Sequence, residues 1–224
     1  VGTYQGINYI AVTGRPSVRG DVSEQNTVYV YETEVFTKIF EKTFNETILN
    51  VAISKNVVAC AFENKVEVWN TSAKMLVHNI KCGFNLHSPL YISPDSKLLI
   101  TPGKTAELVG VRPGLSAMLN SIETSISEHF TCAAFSPDST KLAVAGGKNV
   151  VVIRPDTGAG GPIIRCTEVI KTICISNDWR IVAVTDTAIN FIDGKSMSIK
   201  KTIEVTGGPF SAVAWIGRTV FIAS

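Results

Sequence analysis

Four kinds of side chain decide whether this sequence could do chemistry: histidine and cysteine for metals, carboxylates for proton transfer, and glycine-rich turns for phosphate. His78, His87 and His129 stand more than four residues apart, and none lies at a metal-binding interval from a cysteine. Zinc would have to be gathered from separate elements. Cys60, Cys82, Cys132, Cys166 and Cys174 are odd in number, irregularly spaced and without a C-x-x-C pair, which argues against a disulfide framework. Gly103-Lys104-Thr105 imitates the end of a phosphate loop, but Leu98 stands where the earlier glycine belongs, between strand-like runs. Thr157 to Pro162 is rich in glycine, yet no helix follows it to hold a phosphate, and its glycines read as positions of positive φ. Asp138, Asp178 and Asp186 fall near turns, where an aspartate bonds its own backbone. No G-x-S-x-G elbow is present. The expectation is no enzyme, no metal and no cofactor.

The elements that would hold these residues are strands. Ile48 to Ile80 contains four short apolar runs separated by Lys55-Asn56, Glu63-Asn64 and Asn70-Thr71-Ser72, the pattern of one four-stranded antiparallel sheet. Further along, Phe130 to Phe135 precedes Ser136-Pro137-Asp138-Ser139, and Leu90-Tyr91-Ile92 precedes Ser93-Pro94-Asp95-Ser96. The step from Ser93 to Ser136 is 43 residues, and Ser176-Asn177-Asp178-Trp179 follows Ser136 by 40. The turn at Ser54 lies 39 before Ser93. A period near 40 with four strands per repeat signals a propeller array, because one such sheet cannot cover both its faces and must stack on neighbours. The first repeat reads as lacking its first strand, and the last as stopping at its second. A six-bladed open ring or an incomplete seven-bladed one fits this count.

The 224 residues are 45% hydrophobic and 18% charged, with a net charge of +2. That balance suits a chain with a packed core and gives no reason to expect nucleic acid as a partner. Cys60, Cys132 and Cys174 sit in apolar strand-like runs, where a reduced cysteine is a small core residue, so a reducing compartment is expected. Trp179 stands in a turn with little core to enter; it is the candidate aromatic anchor for a partner, against the plainer alternative of core packing.

The Ser-Pro-Asp-Ser-x-Lys-Leu turns, the strand end Val66-Glu67-Val68-Trp69-Asn70 and the period resemble those of WD-repeat propellers, in a degenerate form. Ile153-Arg154-Pro155-Asp156 and Phe191-Ile192-Asp193 occupy the strand ends where the family has Trp-Asp. Within that superfamily, Thr43 to Val51, Val57-Val58, Met75 to Ile80 and Leu99 to Gly103 are similar to PROPPINs, propellers that bind phosphoinositides in autophagy. The resemblance implies a lipid-phosphate site at a Phe/Leu-Arg-Arg-Gly motif. Ile164-Arg165-Cys166-Thr167 is its counterpart, keeping Arg165 and lacking the second arginine and the glycine, with Lys171 nearby. The closing segment from Ile181 resembles propeller-type exchange factors equally well.

The sequence is therefore read as all-β, a β-propeller of four-stranded antiparallel blades in a single domain, with blade segments 1–45, 46–84, 85–125, 126–168, 169–206 and 207–224. The expected function is a non-catalytic scaffold holding other proteins through loops and blade rims in the cytoplasm. The alternative is a PROPPIN-like module that attaches peripherally to phosphoinositide membranes through Arg165 and Lys171.

Overall fold

The computed structural model describes residues 2–3, 9–14, 26–81, 90–101, 106–110, 118–122, 130–157, 159–206, 210, 212–216 and 219–223. Its strands form antiparallel sheets throughout. The first sheet holds β1 (Gly2–Thr3), β2 (Tyr9–Gly14), β3 (Thr27–Glu32) and β4 (Thr37–Thr43). The second holds β5 (Asn50–Ser54), β6 (Val57–Ala61), β7 (Lys65–Asn70) and β8 (Met75–Lys81). In the third are β9 (Tyr91–Ile92), β10 (Leu98–Thr101), β11 (Ala106–Gly110) and β12 (Met118–Ile122). The fourth comprises β13 (Phe130–Phe135), β14 (Leu142–Gly146), β15 (Asn149–Ile153) and β16 (Ile164–Arg165). The fifth comprises β17 (Thr172–Ile175), β18 (Arg180–Val184), β19 (Ala188–Asp193) and β20 (Ser198–Glu204). Among the described residues the last sheet has two strands, β21 (Ala212–Ile216) and β22 (Thr219–Ala223).

Each sheet runs in chain order, so every connection is a hairpin, and each falls inside one of the segments read from the sequence. One expectation is corrected. The first repeat does have its first strand: Gly2 and Thr3 pair with Ala11 and Ile10, a ladder too short to show as an apolar run. By its internal contacts the chain divides into two compact units, Val1–Thr101 with Val109–Leu119, and Pro102–Leu108 with Asn120–Ser224.

Strand composition follows position within the sheet. The second strands β6 and β14 are buried along their whole length, because alternate side chains enter different cores. In β6, Val58 and Cys60 join a cluster with Val28, Val30 and Phe40 of the first sheet. Its Val57, Ala59 and Ala61 pack instead with Leu90 and Ile92 at the third sheet. Strand β18 divides the same way, with Ile181 and Ala183 toward the fourth sheet and Val182 and Val184 toward β21 and β22. The outer strands carry charge, for example Lys38 and Glu41 on β4 or Lys200 and Lys201 on β20, which keeps an open edge from pairing at random.

Several of the hairpin turns are built on a left-handed residue that is not glycine. Phe36, Lys74 and Met197 occupy it between the third and fourth strands of their sheets, at φ of 52°, 53° and 50°. Ser96, Ser139 and Trp179 occupy it between the first and second strands, at 59°, 62° and 69°. Phe36 belongs to the turn between β3 and β4 and is 82% exposed.

Candidate functional site

The repeated Ser-x-Asp turn has one geometry in three sheets. Ser93, Ser136 and Ser176 are buried. The first two donate their Oγ–H to Oδ1 of Asp95 and Asp138 at 2.7 and 2.6 Å, and Ser176 does so to Asp178. The same oxygens accept the backbone N–H of Lys97, Lys141 and Arg180 at 3.2, 3.0 and 3.0 Å. A second backbone bond closes each turn, from Ser96, Ser139 and Trp179 to the serine carbonyl. The turns also join successive sheets. Ser54 Oγ donates to the Ser93 carbonyl at 2.9 Å, and Ser96 Oγ returns to the Ser54 carbonyl at 3.0 Å. Two periods later, between the fourth and fifth sheets, the Asp138 N–H donates to Asn177 Oδ1 at 2.9 Å and Lys141 Nζ to the Asn177 carbonyl at 3.2 Å.

These bonds settle the part played by the aspartates. Asp138 and Asp178 each hold their own turn, and Asp186 pairs with Lys171 at 3.1 Å. Burial acts to raise the Asp138 pKa, but the bonds from Ser136 and Thr140 and the Lys141 charge outweigh it and hold the carboxyl at about 2. Asp178 is held low chiefly by the Ser176 hydroxyl. A depressed folded-state pKa gives stability that is present above the unfolded value, about 4, and lost as pH falls through the folded one. The denaturant midpoint should therefore fall as pH drops from about 4 toward 2, and Asp138→Asn should flatten the dependence in that window; equal slopes for both proteins would refute this.

Trp179 is not a free-standing aromatic. It is half-buried, packs against the core of the fourth and fifth sheets, and lies under the Lys141 ammonium at 4.9 Å from the ring centroid. Lys141 itself is 6% exposed. The aromatic is in a turn, as its neighbours predict, but the turn folds back onto the core.

In the glycine-rich segment, Gly161 is explained by a close approach rather than by φ. A Cβ on Gly161 would stand 2.9 Å from Met197 Cε, so glycine there makes room for the fifth sheet's turn. Gly147, at φ 54°, is the glycine with a left-handed backbone among those described. Gly103-Lys104-Thr105, His87, His129 and Cys82 lie outside the described residues.

Arg165 and Lys171 are both exposed, Arg165 at the end of the outermost strand of the fourth sheet and Lys171 just before β17. Their surroundings differ. Lys171 is held by Asp186, whereas no carboxylate pairs with Arg165 among the described residues. Glu168, three positions on, is committed to the fifth sheet: Oε2 accepts from Thr185 Oγ1 and Oε1 from Thr187 Oγ1, both at 2.8 Å. The Thr187 and Thr185 hydroxyls hold its pKa below the ordinary carboxylate range.

One cluster escaped the sequence reading. Trp69 Nε1–H donates to Glu67 Oε2 at 3.1 Å, and Lys65 Nζ binds Glu67 Oε1 at 2.9 Å and Glu46 at 2.7 Å. Phe44 stands edge-on to Trp69 and Phe62, with ring centroids 6.1 and 5.0 Å away, and Lys42 covers Trp69 at 4.8 Å. The signal was the Lys-x-Glu-x-Trp spacing of β7, which places Lys65, Glu67 and Trp69 on one face. The described cysteines Cys60, Cys132, Cys166 and Cys174 are buried and free. Burial pushes the thiols of Cys132 and Cys174 up to about 12 and that of Cys166 to about 11. At pH 8 they should react with a thiol reagent only as fast as the protein opens; rapid labelling without denaturant would contradict that.

No family model matches this sequence, and no curated protein does. Among solved structures 1361 chains match, so the fold is widespread and brings no activity with it. One is hydrazine synthase of Kuenenia stuttgartiensis, at 14% identity and a TM-score of 0.60, over 74% of this chain and 51% of that one. The chain thus spans about half the length of the hydrazine synthase chain it matches, and at that identity the likeness is one of fold: antiparallel sheets, with no residue of a site carried across.

Proposed function

We propose that this chain is a propeller of the WD-repeat type, each sheet one blade, and that it works as a non-catalytic platform for other proteins. The observation that carries the reading is the recurrent Ser-x-Asp turn. The polar groups most suggestive of chemistry, Ser93, Asp95, Ser136, Asp138, Ser176 and Asp178, are engaged in the same structural bonds in every copy. Their repetition at 40 and 43 residues fits a scaffold whose function lies in its variable surface. Crosslinking the full chain in an extract of its native source, with mass spectrometry of the adducts, tests this. A stable set of protein adducts on exposed lysines is expected; none above a denatured control would count against a platform.

The exposed Arg165, with which no carboxylate pairs among the described residues, favours a second reading, a lipid-binding module of the PROPPIN kind. Flotation with vesicles containing phosphoinositide separates the two. The platform reading expects the chain to stay at the bottom of the gradient, and flotation that Arg165→Ala abolishes would replace it with the lipid reading.

A further inference from the structure

We infer that the edge of β16 is a docking strip for an extended protein segment in which a carboxylate is flanked by apolar side chains, the carboxylate closing on Arg165. This rests on the platform reading above and names its contact.

Strand β16 is the outermost of its sheet and is two residues long, paired through Arg165 to Asn149 and Ile164 to Val150. Ile164 and Cys166 turn into the core. The residues between and beside them face outward, with Ile163 40% and Val169 46% exposed on either side of Arg165. An outermost strand that no other described strand pairs beyond, carrying a cation and with exposed apolar residues two before and four after it in the chain, suits strand addition, where main-chain bonds hold the guest and side-chain contacts select it. The guanidinium fork accepts a carboxylate through two parallel bonds.

Charge decides what that guest is. Glu168, the carboxylate nearest to Arg165 in sequence, is clamped by Thr185 and Thr187, and Asp186 is held by Lys171. Lys148 adds a second cation beside the strip, its carbonyl accepting the Cys166 N–H at 2.8 Å. Yet Glu168, its pKa held below the ordinary carboxylate range by the Thr187 and Thr185 hydroxyls, stands three residues from Arg165 and would repel a polyanionic headgroup far more than a single carboxylate. The complement is one acidic residue between apolar ones.

The test uses the whole chain and a fluorescein-labelled peptide reading Val-Thr-Glu-Thr-Val, which sets one carboxylate and two apolar side chains on one face, with Val-Thr-Gln-Thr-Val and Val-Thr-Lys-Thr-Val for comparison, followed by anisotropy. We expect the glutamate peptide to bind at least tenfold more tightly than the glutamine one. Arg165→Ala should remove that preference, Arg165→Glu should transfer it to the lysine peptide, and Lys55→Ala should change nothing. Arg165 is exposed, so circular-dichroism melts of its variants should match the parent. Equal binding of the glutamate and glutamine peptides, or an unchanged preference in Arg165→Ala, overturns the inference, as does Arg165-dependent flotation on phosphoinositide vesicles without peptide binding. Crosslinked partners that persist unchanged in Arg165→Ala would leave the platform standing and remove only this contact; their absence from both proteins would remove the platform.

Discussion

Gly194→Ala should lower the stability of the chain by about 2–4 kcal/mol, as read from denaturant midpoints. A Cβ at this position would lie 2.9 Å from the Trp179 carbonyl oxygen, 3.3 Å from Ile181 Cδ1 and 3.4 Å from Trp179 Cε3. The first of these is a backbone atom, and it cannot swing aside. It is also the acceptor of the Gly194 N–H at 2.7 Å, so retreat from the new methyl breaks the bond that ties the turn of β19 and β20 to the turn before β18. Ile181 is fully buried and has nowhere to go. Gly161→Ala supplies the internal comparison. Its would-be Cβ also meets an atom at 2.9 Å, but that atom is Met197 Cε, the end of a flexible side chain that can rotate away. Its expected loss is below about 1 kcal/mol. If the two substitutions are equally damaging, the distinction between backbone and side-chain obstruction is wrong. If Gly194→Ala does not accumulate, a midpoint for Gly194→Ala made together with Trp179→Gly, which clears Cε3 but not the carbonyl, should still fall below that of Trp179→Gly alone.

That pair of glycines shows where sequence reading reaches and where it stops. Ser93, Ser136 and Ser176 are legible because a local turn with its own hydrogen bonds repeats with little change, and the period then places the sheets. Three-residue logic does not reveal that Gly161 faces Met197, or that Glu168 is bound by Thr185 and Thr187. These contacts join different sheets, and their spacings are set by loop lengths that vary from repeat to repeat. Strand β1 was missed for a related reason, since two residues carry no periodicity. Phe36 adopts φ 52° where glycine would be the cheaper residue, and a bulky aromatic seldom marks a turn. The glycine-rich run invited the opposite error, a presumption of unusual backbone where close packing is the cause at Gly161.

Replacing Trp179 should invert an ordinary preference, with Trp179→Gly more stable than Trp179→Ala. Both lose the ring that packs on the core of the fourth and fifth sheets and that faces the Lys141 ammonium. Because the ring is half-buried, the expected loss for alanine is about 2–4 kcal/mol, somewhat under that for a fully buried tryptophan. Alanine keeps the strain of φ 69°, worth about 1 kcal/mol or a little more in a non-glycine residue, while glycine relieves it. Glycine also gains freedom in the unfolded chain, which takes back part of that relief, so the net advantage expected is about 0.5–1 kcal/mol. The equivalent turns at Ser96 and Ser139 have the same left-handed backbone and no ring to lose, so Ser139→Gly should cost much less than Trp179→Gly. Lys141 separates the two parts of the tryptophan's contribution. In a Lys141→Met background the ammonium is gone and methionine still covers the ring, so the penalty for Trp179→Ala should shrink by the cation–π share, roughly 0.5–2 kcal/mol. An undiminished penalty would assign the ring wholly to core packing, and an alanine variant as stable as the glycine one would show that the backbone at this turn relaxes once the tryptophan no longer pins it.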